Sequence, residues 1–169
     1  MKIYYVDGYN VINSWPDLKE DKDVSFEGAR QNLIDKLHNF SSYNNCLVNL
    51  VFDAHKVQGS IEKEEKCSEN LAVIFTKDGE TADAYIEKKV HSIGRRFEVY
   101  VVTSDSLEQQ TIFQRGATRI SSLEFYSDVM KAEDKITEKT NKIKASTKNN
   151  VWDNLDGDVL KKLEEMRKS

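Results

Sequence analysis

The chain has 169 residues, a length typical of one domain and sufficient to bury a core without disulfide or metal support. Hydrophobic residues make up 38% and charged residues 32%, with a formal net charge of −4, which excludes a wholly basic nucleic-acid coat protein. No apolar run approaches the roughly 20 residues of a membrane span, and one proline with seven glycines argues against a disordered linker protein.

The first half of the chain alternates between strand and helix patterns. Near-continuous apolar runs are typical of strands buried on both faces, whereas apolar residues three and four apart are typical of a helix with one buried side. Two strand runs end at Asp7 and Asp53, and Asp7-Gly8 predicts a turn followed by a loop that Trp15-Pro16 caps. The predicted elements in chain order are a strand over 2–6, a helix over 26–43 closed by Asn44-Asn45, a strand over 46–52, and a loop or exposed hairpin over 54–70.

The second half continues this alternation. Thr81 is the predicted N-cap of a helix that carries Asp83 in its first turn, where a carboxylate favours the helix dipole. Strands that alternate with helices imply an α/β fold with a mostly parallel sheet and helices on both faces. The predicted elements are a strand over 71–75, a helix over 81–95, a strand over 97–102, a helix over 106–115, a short strand over 117–120, and a helix from about Ser122.

The C-terminal segment differs from the rest in charge. Residues 131–169 carry a net charge of +2, whereas residues 1–130 carry −6. We therefore predict one domain over 1–130 and a lysine-rich extension over 131–169 that ends in a helix over 155–166. The lysines of the extension fit contact with ribosomal RNA and fit an exposed helix equally well.

Four aspartates are predicted to meet at one edge of the sheet. Carboxyl ends of parallel strands share an edge, where Asp7, Asp53 and Asp105 follow strands and Asp83 opens the helix after the third strand. Taken singly, each aspartate also has a structural explanation as a turn, strand-end or helix-cap residue. Four carboxylates together repel one another unless a hard cation such as Mg²⁺ or Mn²⁺ lies between them. The pattern predicts a metal site formed by these four aspartates and suited to phosphodiester hydrolysis.

Four ordered motifs indicate a family. They are YVDGYN, VFDAH, ETADAYIE and VTSD, at residues 5–10, 51–55, 80–87 and 102–105. Together they resemble the NYN-domain proteins of the bacterial YacP-like group, within the PIN-like nuclease superfamily. This resemblance implies a three-layer PIN-like fold and an endoribonuclease that depends on Mg²⁺ or Mn²⁺. It also implies that the substrate is messenger RNA on translating ribosomes.

The resemblance also assigns roles to residues. It places the catalytic metal site at Asp7, Asp83 and Asp105. It implies that Asn10 positions a ligand or a water and that Asp53 is the acid after the second strand. The common form of the second motif has glycine where this chain has Ala54, which concerns the local turn.

Further residues are candidates for holding RNA. Tyr9 lies beside the predicted acidic edge, where an aromatic ring can stack on a base. Arg95 and Arg96 are candidate phosphate contacts, although a solvated charged face is the usual explanation of such residues.

The cysteines and the N-terminal segment indicate a cytoplasmic protein without a membrane partner. Cys46 and Cys67 form no CxxC pair and no metal-ligand spacing, so we expect two free thiols in a reducing compartment. The first ten residues lack the features of a signal peptide.

Two other functions remain open on the sequence. A non-catalytic module that binds RNA or the ribosome would keep the same fold. A phosphatase or phosphotransfer receiver also places aspartates at strand ends but needs a lysine after a later strand, and residues 117–121 contain none.

Overall fold

The structure of the protein, a computed structural model, describes the backbone of residues 1–54, 61–93, 96–103, 117–154 and 165–167. It describes side chains over the same ranges except for 148–154. The predicted helix over 106–115, most of the predicted terminal helix, and the site residues Asp105 and Arg95 lie outside these ranges.

The described residues include six strands and five helices, and three of the helices lie between the first and second strands. Five of the strands match their predicted ranges closely, and β3 belongs to the segment expected as a loop or exposed hairpin. The strands are β1 (Lys2–Asp7), β2 (Leu47–Phe52), β3 (Lys63–Lys66), β4 (Leu71–Phe75), β5 (Glu98–Val102) and β6 (Thr118–Ile120). The helices are α1 (Gly8–Ser14), α2 (Pro16–Val24), α3 (Phe26–Asn44), α4 (Ala82–Ile93) and α5 (Ser122–Asn154).

The strands make one sheet in the order β3-β4-β2-β1-β5-β6. All neighbouring strands are parallel except β3, which runs antiparallel to β4 and forms a hairpin with it. The sequence left residues 54–70 open as a loop or an exposed hairpin and did not predict this pairing. The chain passes from β1 to β2 and β4 on one side of β1, and then returns to β5 on its other side. This reversal places the switch point of the sheet between the carboxyl ends of β1 and β5, where α/β proteins bind ligands.

Helices cover both faces of the sheet, as the fold-class prediction requires. One face buries Tyr4, Val6 and Leu50 against α1, α2, α3 and the first turns of α5. The other face buries Tyr5, Val51 and Val101 against α4. Side chains alternate between the two faces of a strand, so the face of one residue determines the faces of the other residues in the same strand.

The segment after β1 differs from its prediction, because helices α1 and α2 replace the expected turn and loop. The side chain of Asp7 accepts a hydrogen bond of 3.3 Å from the Asn10 amide and so caps α1 instead of closing a turn. Pro16 begins α2, where its missing N–H is no loss. Between the helices, Trp15 is completely buried and its indole Nε1 donates a hydrogen bond of 2.8 Å to the Ser122 carbonyl.

A close approach explains the glycine in this segment. A Cβ atom added to Gly8 would lie 2.7 Å from Cδ1 and 2.8 Å from Cζ of the Phe52 ring. Only glycine lets α1 start directly against the end of β2, because any other side chain would displace that ring.

The chain divides into two compact units, Met1–Glu133 and Asp134–Ser169. The first unit contains the whole sheet and both cores. The described part of the second unit is helical, and all its side chains over 138–147 are exposed. The domain boundary expected at residue 130 stays a prediction. Over the parts of the chain that the structure describes, no helix is long and apolar enough to cross a membrane.

Candidate active site

Asp7 and Asp53 follow neighbouring strands at the carboxyl edge of the sheet. Asp7 is the last residue of β1 and pairs with Val51 of β2, so Asp53 lies two residues further along the adjacent strand. By alternation within β1, Asp7 lies on the same face as Tyr5, which is the face that α4 covers. Asp53 directly follows the last residue of β2.

The Asp7 carboxylate is held by the helix that follows it. It accepts the hydrogen bond from the Asn10 amide at the N-terminus of α1, where the helix dipole favours a negative charge. Asp7 and Asn10 are both partly buried. The YVDGYN motif therefore fixes a carboxylate at the end of β1, next to the switch point of the sheet.

Thr76 connects the end of β2 to the start of α4. Its hydroxyl accepts a hydrogen bond of 3.1 Å from the Ala54 amide and donates one of 2.7 Å to the Glu80 carbonyl. Its own amide donates to the Phe52 carbonyl at 3.0 Å. These three bonds position the backbone on both sides of Asp53. Among the described non-glycine residues only Asn45 has a positive φ, so the turn at Ala54 does not need the glycine that the family motif usually has.

Asp83 lies at the same edge because α4 begins there. The hydroxyl of Thr81 accepts a hydrogen bond of 3.1 Å from the Ala84 amide, which confirms Thr81 as the N-cap. Asp83 is in the first turn of α4, as predicted. Its Oδ1 atom is shielded from solvent and has no hydrogen-bond partner among the described residues. A desolvated carboxylate oxygen without a partner is costly, so this atom indicates a place for a cationic ligand.

Glu80 contributes a further acid to the N-terminal end of α4. Its Oε2 atom lies 3.3 Å from Nζ of Lys88 and 3.9 Å from Nζ of Lys77. Its Oε1 atom is shielded from solvent and lacks a partner within the described part of the chain. The two lysines balance the charge of Glu80, which distinguishes it from Asp83.

Two buried tyrosines lie beneath the aspartates in the core on the α4 side. Burial, with a smaller contribution from Glu64, raises the pKa of Tyr5 to about 12. Burial, reinforced by Glu62 and Glu64, also raises the pKa of Tyr85 well above its ordinary value. Both phenols remain neutral at physiological pH, so the negative charge at this edge comes from carboxylates.

The described residues contribute only part of the predicted metal site. Asp7, Asp53 and Asp83 lie at one edge, but across the described ranges no three or more His, Cys, Asp or Glu side chains are close enough to hold a metal ion. Asp105, the fourth predicted ligand, lies outside those ranges. The four-aspartate metal site stays a prediction.

Tyr9 is largely enclosed by other aromatic rings. Its ring centroid lies 5.2 Å from those of Phe26 and Phe52, and the residue is partly buried. Packing thus accounts for much of the ring, and its role in stacking on an RNA base stays a prediction.

Arg96 lies far from the aspartates. It is exposed and precedes the first residue of β5, so it lies at the amino edge of the sheet, opposite the acidic edge. The structure therefore does not bring Arg96 together with Asp7, and its role in holding RNA stays a prediction.

Sequence reasoning missed a cation on the acidic side of the sheet. Arg119 in β6 pairs with Val101 in β5, and its Nε atom donates a hydrogen bond of 3.3 Å to the Thr103 carbonyl. Part of the signal was available, because Arg119 is the penultimate residue of the predicted strand over 117–120. Its position level with the end of β5 follows only from the pairing of β6 with that strand.

The fold and this edge define a class of protein: a doubly wound α/β domain with carboxylates at the carboxyl edge of its sheet. A family model described as the YacP-like NYN domain matches residues 4–168. The chain therefore belongs to the YacP-like NYN family, as the motifs predicted, and NYN domains are part of the PIN-like nuclease superfamily.

Individual relatives agree with this membership. The chain is 42% identical to a protein of Bacillus subtilis strain 168 called uncharacterized protein YacP, over 99% of this chain and 98% of the relative. The crystal structure of Rae1 (YacP) from Bacillus subtilis matches with a TM-score of 0.75 and 40% identity, covering all of this chain and 96% of that one. A tryptophan-to-leucine variant of that protein matches with a TM-score of 0.74 and 40% identity, over 86% of this chain and 85% of the other.

Proposed function

We propose that the protein is a metal-dependent endoribonuclease that cuts messenger RNA on translating ribosomes. The observation that carries this proposal is the buried Oδ1 atom of Asp83, which has no partner among the described residues and lies at the same edge as Asp7. Membership in a family of nuclease-type domains supports the same chemistry.

The acidic edge fits a hard divalent cation. Mg²⁺ and Mn²⁺ bind carboxylate oxygens, and the side chains gathered here offer such oxygens with few cations beside them. Asp7, Asp83 and Asp105 would hold the ion, with Asp53 as a further ligand. When bound, such an ion would lower the pKa of a water, which promotes the attack of that water on a phosphodiester. It would also balance charge on the phosphate.

The protein's own groups orient this site. The hydrogen bond from the α1 amide holds the Asp7 carboxylate at the positive end of the helix dipole. The Thr76 hydroxyl fixes the distance between the end of β2 and the start of α4, and thereby the relation of Asp53 to Asp83. These hydrogen bonds hold the aspartates in position before a substrate binds, as a preorganised active site requires.

The ribosomal context is the finer part of the proposal. It is supported by the resemblance of the motifs and by the exposed, lysine-bearing helix over 135–144, whose charge suits RNA phosphates. Translating ribosomes would place the protein's action in the cytoplasm.

The test compares cleavage of one messenger RNA, free and on translating ribosomes, in Mn²⁺, in Mg²⁺ and in EDTA. We expect cleavage by the wild type on ribosomes in either metal and none in EDTA. Asp83→Asn should abolish it, because the amide removes the charge that binds the ion. Asp23→Asn is the matched control, since Asp23 is an exposed carboxylate on α2, and it should cut at the wild-type rate.

Two results would overturn the proposal. Full cleavage by Asp83→Asn would show that the acidic edge is not the active site. No cleavage by the wild type, with ribosome binding retained, would favour a non-catalytic RNA-binding or ribosome-binding module of the same fold.

A further inference from the structure

A guanidinium group lies at the carboxyl edge of the sheet. Arg119 belongs to β6 and is opposite Val101, whose side chain is buried on the α4 side. The side chain of Arg119 reaches two residues beyond this pair, because its Nε atom donates to the Thr103 carbonyl at 3.3 Å. The guanidinium therefore points along the strand toward the acidic edge and lies level with the end of β5.

The same edge carries Asp7, on the strand beyond β5. Val6 of β1 pairs with Val102, so Asp7 and Thr103 each lie one residue past that pair and are level with each other. Neighbouring strands are about 4.8 Å apart, so β6 lies about 10 Å from β1. Arg119 thus sits across the switch point from Asp7, within the span of one or two nucleotides.

Among the residues that the structure describes, Arg119 forms no ion pair. The ion pairs of the described residues all involve lysines, and the bond to Thr103 uses only Nε of the guanidinium. The residue is partly buried, which limits its rotamers while leaving a face open. A guanidinium held in place through its Nε atom is well suited to a phosphate, since its planar fork can bind two oxygens at once.

We propose that Arg119 binds a backbone phosphate of the RNA strand at the acidic edge. This inference rests on the proposed function, because it names the residue that holds the substrate of that site. An edge made of carboxylates repels a polyanion, so a fixed cation beside it is needed to bring the strand to the aspartates. Arg119 is the described cation that the sheet places beside the switch point, whereas Lys63, level with the end of β4, is paired with Glu65.

The test measures binding of a fluorescein-labelled single-stranded oligoribonucleotide to the full-length protein in EDTA, where no cleavage occurs, from 50 to 400 mM salt. A phosphate contact to single-stranded RNA contributes about 0.7 to the slope of log affinity against log salt concentration. Arg119→Gln should lower that slope by about 0.7 and weaken binding about fivefold at 0.1 M salt. Arg119→Lys should keep the slope, because it keeps the charge.

Lys2→Gln is the control, because it removes one positive charge at the opposite edge of the sheet, where the exposed Lys2 begins β1. It should leave both slope and affinity at wild-type values. Circular dichroism and thermal unfolding check that all three variants are folded. If Arg119→Lys lowered the slope and the affinity as much as Arg119→Gln does, the residue would have a structural role through its bond to Thr103. That result would overturn the proposal.

Three further results would also overturn it. They are wild-type slope and affinity in Arg119→Gln, an equal loss in Lys2→Gln, and no binding of the oligonucleotide by the wild type at 50 mM salt. Failure of the proposed function is distinguishable from these, because it is read from cleavage by Asp83→Asn and not from RNA affinity.

Discussion

The Thr76 hydroxyl provides a direct test of how the acidic edge is held together. The side chain is completely buried, and its oxygen bonds the Ala54 amide at 3.1 Å and the Glu80 carbonyl at 2.7 Å. Thr76→Val keeps the shape of the side chain but leaves both backbone groups without this partner. Each such loss costs about 1–3 kcal/mol, and both groups are only partly buried, so we expect a loss of about 2–4 kcal/mol.

Urea denaturation followed by circular dichroism measures this loss. With an m-value of about 2 kcal/mol/M, the midpoint should fall by about 1–2 M. Thr76→Ser is the control, because it keeps the hydroxyl and loses only a methyl group, at a cost of about 1 kcal/mol. A valine variant within 0.5 kcal/mol of the wild type, or a serine variant as unstable as the valine variant, would refute the role given to these hydrogen bonds.

Other contacts make equally definite predictions. Gly8→Ala should lower the free energy of unfolding by about 1–3 kcal/mol in the same urea assay, because the added Cβ displaces the Phe52 ring; unchanged stability would refute that contact. Trp15→Phe should lower the free energy of unfolding by about 1–3 kcal/mol, because it leaves the Ser122 carbonyl without its indole donor. A loss under 0.5 kcal/mol would contradict this. An aromatic disulfide reagent should label the exposed Cys67 in the folded protein but the buried Cys46 only after unfolding. Burial raises the pKa of the Cys46 thiol to about 11, which keeps the thiol protonated and unreactive. Rapid labelling of both thiols in the folded protein would contradict this.

Much of the fold could be predicted because its signals are local. The apolar run over 46–52 and the helical spacing over 26–43 match β2 and α3 closely. Asn45 ends α3 as the sequence indicated, and the structure shows that it does so in a left-handed conformation. The alternation of these patterns was enough to predict the parallel sheet, because few other arrangements bury such strands on both faces.

Helices α1 and α2 were missed because tertiary contacts define them. Asp7-Gly8 has the composition of a turn, and α2 has charged residues over most of its length. They are helical because Asp7 caps the N-terminus of α1 and because Trp15 and Leu18 are buried against the core. Neither contact is visible from residue spacing, so the local signal favoured a turn and loop.

The candidate site divides in the same way. Strand ends could be predicted from the apolar runs, and so could the edge that Asp7, Asp53 and Asp83 share. The placement of the basic residues could not, since it depends on which end of the sheet each one reaches. Arg96 precedes β5 and lies at the amino edge, whereas Arg119 reaches the carboxyl edge through its bond to Thr103.

The most direct test of the central claim is to map 5′ ends on a messenger RNA carried by translating ribosomes, with Mn²⁺ present, for the wild type and for Asp7→Asn. Asparagine also caps helices well, so the variant should keep its fold while losing the charge that holds the ion. We expect discrete new 5′ ends with the wild type and none with Asp7→Asn. The same ends at the same rate with both proteins would contradict the claim that the acidic edge cuts RNA.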